Sequence, residues 1–253
     1  MAIKIVFLGS KPVGYQCLQY LLLHKEALDI EVVGLRTRLR TEFGEGNDLS
    51  VLAKTYQIPL LESLDAMPDC DIIYSVQHHE LLKAAHINKA SKIAVNLHLA
   101  PLPEYRGCNQ FSFAIMDEAK EFGVSIHEID TKIDHGALLF EERFSVPEQC
   151  WVNDLYELTF RAAIRLFETS VGDLVKGKYK KIEQSELLKT RKENLHFRNE
   201  IQQLKQIDLN QDAATIEKIL RATYMPGFEP PFAILNGKKV HFKIETCNCT
   251  SPQ

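Results

Sequence analysis

The stretch IAVNLHLAPLPEYRG, Ile93 to Gly107, opens as an apolar strand and closes in a proline-stiffened turn. Its first half has the nearly unbroken apolar character of a strand covered on both faces. IKIVFLG (3–9), IEVVGLRT (30–37) and DIIYSVQ (71–77) read the same way, with IPLLES (58–63) as a shorter strand. Between these runs lie segments of helical period: VGYQCLQYLLLHKEAL (13–28), DLSVLAKTYQ (48–57) and HELLKAAHI (79–87). Strands alternating with helices predict a doubly wound, Rossmann-like α/β fold with a mostly parallel sheet.

Beyond the turn, QFSFAIMDEAKE (110–121) reads as a helix, and GVSIHEID (123–130) and ALLFEERFSV (137–146) as strands. A long helix is predicted from about Val152 to Val175, ended by Lys176-Gly177-Lys178 with its basic residues where the helix dipole favours them. The polar segment 178–194 is expected to cross into a second unit. That gives a domain over 1–184 and a small C-terminal α+β module over 185–253. The module has a helix at ATIEKILRATY (214–224) and ends in a β-hairpin, because Asn236-Gly237 is a strong type I′ turn signal.

The composition is that of a globular protein, with 45% hydrophobic and 25% charged residues and a net charge of −4. This balance does not point to nucleic acid as a partner. No run approaches the ~20 apolar residues of a membrane span, and the N-terminus turns polar too soon for a signal peptide. A cytoplasmic protein with no membrane partner is expected. The six cysteines include no Cys-x-x-Cys pair and are expected to be free thiols; Cys247 and Cys249 lie in a tail expected to fray, beside a glycosylation sequon at Asn248.

Two apparent sites are weak. GSKPVG (9–14) lacks the glycine spacing of a dinucleotide fingerprint and the Lys-Ser/Thr of a P-loop, although Ser10, Lys11 and the helix N-terminus there could hold an anion. His78, His79, His98 and His135 fit no common zinc spacing, so no metal is expected. His24, His86, His127, His196 and His241 are read as ordinary surface or core residues.

Asn96 and His98 are two residues apart on a strand, so they project to one side at its C-terminal end. Ligands bind at that edge of an open α/β sheet. Asp134, in a loop between two strands, could reach His98 directly or through water. An amide donor, an imidazole and a carboxylate, with no Ser or Cys nucleophile, suit direct acyl transfer from one bound substrate to the amine of another. The amide would stabilise an oxyanion and the imidazole would take the proton. On spacing alone, a strand-end cap and a turn aspartate explain these residues equally well.

Asn-Leu-His, Leu-Pro-x-Tyr-Arg-Gly, Gly-Val-Ser-Ile-His-Glu-Ile-Asp and Ile-Asp-His-Gly together resemble the folate-dependent formyltransferases over about residues 1–180. The resemblance implies 10-formyltetrahydrofolate as donor. It implies that Asn96 polarises the formyl carbonyl, His98 acts as base, and Asp134 orients His98 or a water. It also places a folate pocket at SVQHHELL (75–82), with Gln77, His78, His79 and Asp130 as cofactor-binding candidates.

For the acceptor, the segment 185–253 carries ten Lys/Arg against eight Asp/Glu, a weak field for transfer RNA. YRGCNQFSFAI (105–115) and RATYMPGFEPPFAILNGKKV (221–240) are similar to the nucleotide-sugar N-formyltransferases. This implies a nucleotide-linked amino-dideoxy sugar, of the dTDP type, used for surface polysaccharide. Lys11 and Arg106 are candidates for the diphosphate, Asn109 for the acceptor, and Tyr224 and Phe228 for stacking on the base. Phe232, which begins a strand, is placed less well, and all three aromatics could instead form a small core. A homodimer is expected from the apolar residues of the C-terminal module. Formylation of an aminoacyl-tRNA, hydrolysis of the donor and a catalytically silent sensor stay open as alternatives.

Overall fold

The computed structural model describes residues 1–38 and 47–244. Its first half follows the alternation: β1 (Ile3–Gly9), α1 (Lys11–Leu23), α2 (Lys25–Leu28), β2 (Ile30–Arg36), α3 (Leu49–Tyr56), β3 (Cys70–Val76), α4 (Ala84–Ile87) and β4 (Ala90–His98). Next come β5 (Arg106–Gly107), α5 (Gln110–Met116), β6 (Glu121–Glu128), β7 (Leu138–Ser145) and the long α6 (Val152–Val175). The C-terminal part holds α7 (Gln184–Leu187), β8 (Leu195–His196), α8 (Glu200–Lys205), α9 (Ala213–Thr223), β9 (Phe232–Leu235) and β10 (Lys238–His241).

The main sheet has the order β2-β1-β3-β4-β6-β7. Pairs β1–β2, β1–β3 and β3–β4 are parallel; β4–β6 and β6–β7 are antiparallel. Ile5, Val6, Phe7 and Leu8 of β1 are fully buried, as a central strand with both faces covered requires. On one face, α6 presents Leu155, Ala162, Ala163, Leu166, Phe167, Val171 and Leu174 at helical spacing. Phe167 meets Tyr74 of β3 edge to face, with ring centroids 5.1 Å apart. Caps agree with sequence: Asp48 accepts from Ser50 N at the start of α3, and Asp212 from Thr215 N at the start of α9. The order reverses between β1 and β3, which opens a crevice at their C-terminal ends.

The hairpin β9–β10 has the expected two-residue turn, with Asn236 at φ 50° and Gly237 at φ 73°. Other expectations need correction. The helix expected over 79–87 forms only at Ala84–Ile87, because Gln77 turns left-handed at φ 54° and Arg36 holds the Glu80 side chain. The IPLLES strand is reduced to one bridge, Leu35–Leu60, tied by Leu35 N to Pro59 O and Leu61 N to Leu35 O. The helix expected over 110–121 stops at Met116, and Asp117 N caps it by bonding Phe113 O.

The segment read as a polar crossing returns to the first half of the chain. Ile182 bridges Leu138, and β8 pairs with β5. Ala222 of α9 is fully buried in a cluster with Tyr105, Ala114 and Phe122. Cys17, Cys70, Cys108 and Cys150 are free thiols; Cys247, Asn248 and Cys249 lie outside the described residues. Among the described residues no helix is long and apolar enough to cross a membrane.

Candidate active site

The β4–β6 register sets Asn96 opposite His127 and His98 opposite Ser125. Opposed residues of an antiparallel pair share a face, so these four side chains gather at the C-terminal end of β4. Ser125 is fully buried. Its hydroxyl donates to Ala100 O at 2.9 Å and accepts from Leu102 N at 3.1 Å, which pins the turn beyond His98. The Leu102–Pro103 peptide in that turn is cis.

His98 Nε2 lies 2.7 Å from Tyr105 O. A carbonyl only accepts, so Nε2 carries the hydrogen and the neutral ring keeps its lone pair on Nδ1. Nδ1 is 3.6 Å from Asp134 Oδ2, too far for a hydrogen bond but at ion-pair range once the ring is protonated. The Tyr105 carbonyl therefore sets the tautomer of the ring that Asp134 faces. Asp134 is free to stabilise the imidazolium instead.

His127 completes the group. Its Nδ1 donates to Glu128 O at 2.8 Å, which leaves Nε2 to accept from Asn96 Nδ2 at 3.2 Å. One amide hydrogen of Asn96 is spent there, and the second is left for a ligand oxygen. His127 Nε2 is also 3.5 Å from Asp134 Oδ1, so the carboxylate lies between two imidazoles. Burial pushes the Asp134 carboxyl up. The His98 and His127 imidazoles, which attract the carboxylate when protonated, and the Gly107 N–H outweigh burial and hold it well below the usual carboxylate range. The two rings stand edge to face, 6.3 Å apart.

By spacing alone, His127 reads as an ordinary residue. The missing signal was register: once β6 pairs with β4, the His of GVSIHEID falls beside the Asn of Asn-x-His. No residue pattern revealed the Tyr105 carbonyl, because a backbone group leaves no trace in side-chain spacing.

The Leu-Pro-x-Tyr-Arg-Gly turn ends at Gly107, whose N–H donates to Asp134 Oδ2 at 2.9 Å. Gly107 has φ 85°, and a Cβ there would lie 2.2 Å from His196 O. Gly107→Ala is expected to lose about 2 kcal/mol or more from left-handed strain and this clash. Urea unfolding midpoints check it, and an unchanged midpoint would show that the turn and β8 relax together.

The remaining candidates fall into three places. Around the β1/β3 crevice, Lys11 Nζ donates to Gln77 Oε1 at 3.0 Å, which brings the two expected loops together. Ser10 is buried, and its hydroxyl accepts from Arg38 N. His78 has a buried side chain, and neither ring nitrogen has a hydrogen-bond partner among the described residues. Burial, with His79 and Arg36 adding and Glu80 opposing, pushes its imidazole down to about 4, so it is neutral at pH 7. The His78, His79 and Glu80 ligand atoms lie within 4.8 Å of one another. Glu80 Oε1, however, accepts from Arg36 Nε at 2.8 Å, and a guanidinium in that place opposes a cation.

In the β6–β7 loop, Asp130 Oδ2 is 2.5 Å from His135 Nδ1, and its other oxygen accepts from Lys132 N. Arg106 departs from the diphosphate role expected of it. It is 7% exposed; Nε and Nη2 donate to Ile133 O and Nη1 pairs with Glu193, so its guanidinium holds protein rather than ligand. Asn109, at the start of α5, donates to Phe197 O at 3.0 Å and Arg198 O at 3.4 Å instead of presenting its amide outward.

In the C-terminal part, Tyr224 is half-buried at the end of α9 and Phe228 is exposed. Phe232 is buried under the hairpin with Lys239 over its ring.

Comparison with known proteins gives a consistent set of likenesses. Residues 56–169 match the formyl transferase family model. The chain is 30% identical over 170 residues to GDP-perosamine N-formyltransferase of Brucella melitensis, a match covering 67% of this chain and 63% of that protein. The chain thus spans less than two thirds of that relative's length. It is 23% identical over 229 residues to methionyl-tRNA formyltransferase of Staphylococcus epidermidis, covering 86% of this chain and 72% of that one. The solved structure of WlaRD, a sugar 3N-formyl transferase in the presence of dTDP and 5-N-formyl-THF, has the same fold. It is 21% identical with a TM-score of 0.75, over 95% of this chain and 85% of that one.

Proposed function

Residues 56–169 match the formyl transferase family model, and we propose on that likeness that the chain moves a formyl group from 10-formyltetrahydrofolate to the amine of a nucleotide-linked amino-dideoxy sugar. The observation that carries the reading is the Asn96 amide. His127 occupies one of its hydrogens and leaves the other for a developing oxyanion.

When bound, the folate supplies the formyl group on N10. Asn96 donates to the formyl oxygen as the sugar amine attacks the carbon. His98 takes the amine proton on Nδ1, and Asp134 stabilises the imidazolium that results. His98 then returns the proton to the departing N10 as the carbon–N10 bond breaks. The chain's main contribution is to hold amine and carbonyl in contact.

Folate binding at Gln77, His78, His79 and Asp130 is supported by the two unspent nitrogens of His78, buried polar atoms that a ligand would satisfy. Acceptor binding at Ser10, Lys11, Tyr224 and Phe228 remains part of the proposal, as does the division of the chain at residue 184. Ile234, Leu235 and Val240 of the hairpin are each nearly half exposed, which supports a homodimer. A sugar acceptor is supported by the names of the Brucella relative and of WlaRD, and a role in surface polysaccharide follows from it. The first of these relatives is named for a GDP sugar and the second was solved with dTDP, so the base is the open choice; we place it as thymine.

The test is an acceptor panel. The protein is mixed with 10-formyltetrahydrofolate and dTDP-, GDP- or UDP-linked amino sugars, with Met-tRNA as a further acceptor. A gain of one formyl mass on a dTDP-amino sugar is expected. Gain on Met-tRNA alone would overturn the sugar reading in favour of the Staphylococcus likeness. Released tetrahydrofolate with no acylated product would indicate hydrolysis.

A further inference from the structure

Resting on that reading, we propose that residues 184–197, which lie beyond the family-matched stretch, form a brace whose Gln184 and Glu193 are positioning residues for the His98–Asp134 pair. Two loops define the geometry of that pair. The 98–107 turn supplies the Tyr105 carbonyl and the Gly107 N–H; the 129–137 loop carries Asp134 itself.

Both loops are held from the same segment. Gln184 is buried, and its Nε2 donates to Asp134 O at 2.9 Å and to Gly136 O at 2.8 Å. Asp134 has φ 44°, and a Cβ at Gly136 would lie 2.0 Å from Glu128 O. The loop is therefore tightly folded at the residue whose carboxylate must face two imidazoles, and Gln184 closes it.

On the turn, Arg191 Nη1 donates to Leu102 O at 2.7 Å, with Glu141 gripping both terminal nitrogens of Arg191 at 2.8 Å. Arg106 N donates to Asn194 O at 3.0 Å and Cys108 N to His196 O at 2.8 Å. Glu193 pairs with Arg106, whose other nitrogens reach Ile133 O. Arg106 thus ties turn to loop, and Glu193 fixes Arg106. Removing this brace leaves every reacting group present but frees the two loops that position them to drift. A displacement near 1 Å is enough to cost about 10²-fold in rate.

The brace predicts a specific kinetic signature. Gln184→Leu keeps the volume and deletes both donors; turnover is expected to fall at least about tenfold, with the KM of each substrate changed less than about threefold. Glu193→Ala, at a half-exposed position that tolerates change, is expected to lose about five- to tenfold in kcat. Glu193→Gln keeps an acceptor for Arg106 and is expected to restore kcat to within about twofold. Lys189→Ala, exposed on the same segment, is the control. Imidazole NMR of full-length protein, labelled at histidine, supplies a readout that does not need activity. The His98 resonances are expected to move in Gln184→Leu and Glu193→Ala, and not in Lys189→Ala. Unchanged kcat and unchanged His98 resonances in folded Gln184→Leu and Glu193→Ala would overturn the brace. So would a fall in thermal midpoint with kcat and resonances unmoved, which is what a merely structural segment gives. An inactive wild type would overturn the formyl-transfer reading, and the NMR arm would still decide the brace.

Discussion

His98→Ala protein is expected to transfer formyl groups about 10²- to 10⁴-fold more slowly than wild type at neutral pH, the range spanned by a positioned general base. The geometry makes the loss fall on kcat. Tyr105 O holds the Nε2 hydrogen at 2.7 Å, so Nδ1 is the basic atom, and Asp134 Oδ2 waits 3.6 Å from it. The neighbouring His127 is not equipped to substitute, because its Nε2 is committed to Asn96 and its Nδ1 to Glu128 O. Substrate KM should change little, since the ring's work lies in proton transfer. Single-turnover rates with formylated product read by mass, beside a circular dichroism check of folding, measure the effect. A folded His98→Ala protein within tenfold of wild type would place the base elsewhere and sink the mechanism.

Much of this site was legible because β-sheet periodicity translates spacing into direction. Asn96 and His98 had to share a face, and the run of apolar strands had to put that face at the ligand-binding edge. Distance along the chain hid the rest. His127 became visible only through the register that opposes it to Asn96. Gln184 and Glu193 lie in a polar stretch that reads as a linker, and nothing local distinguishes a glutamine bonded to two carbonyls from one in solvent. Arg106 misled for a related reason. An arginine after a proline-rich turn suits a phosphate well, and only tertiary contacts show its donors turned to Ile133 O and Glu193. The helix expected over 79–87 failed where a long-range pair, Arg36–Glu80, won over local propensity.

Asp134→Asn is expected to damage both stability and turnover, and pH separates the two. The carboxyl is nearly buried between His98 and His127, whose attraction when protonated, with the Gly107 N–H, holds its folded value well below the ordinary one. A depressed carboxyl contributes stability that is present above the unfolded value of about 3.9 and is lost as pH falls through the lower folded value. The asparagine keeps an acceptor for the Gly107 N–H and removes only the charge. Above about pH 4 the variant should therefore be less stable than wild type by roughly 3 kcal/mol, the scale for breaking a buried ion pair. Below about pH 4 the gap should narrow, because the carboxyl of the unfolded wild-type chain begins to take a proton there while the folded one does not. Urea titrations of both proteins at pH 5.5 and pH 3 measure it. Turnover at neutral pH should fall by at least about 10², because the imidazolium formed on His98 then has no counter-charge. A gap that stays constant from pH 5.5 to 3 would mean that the amide fails sterically. A gap that closes while kcat is unchanged would mean that Asp134 serves the fold and not the proton transfer.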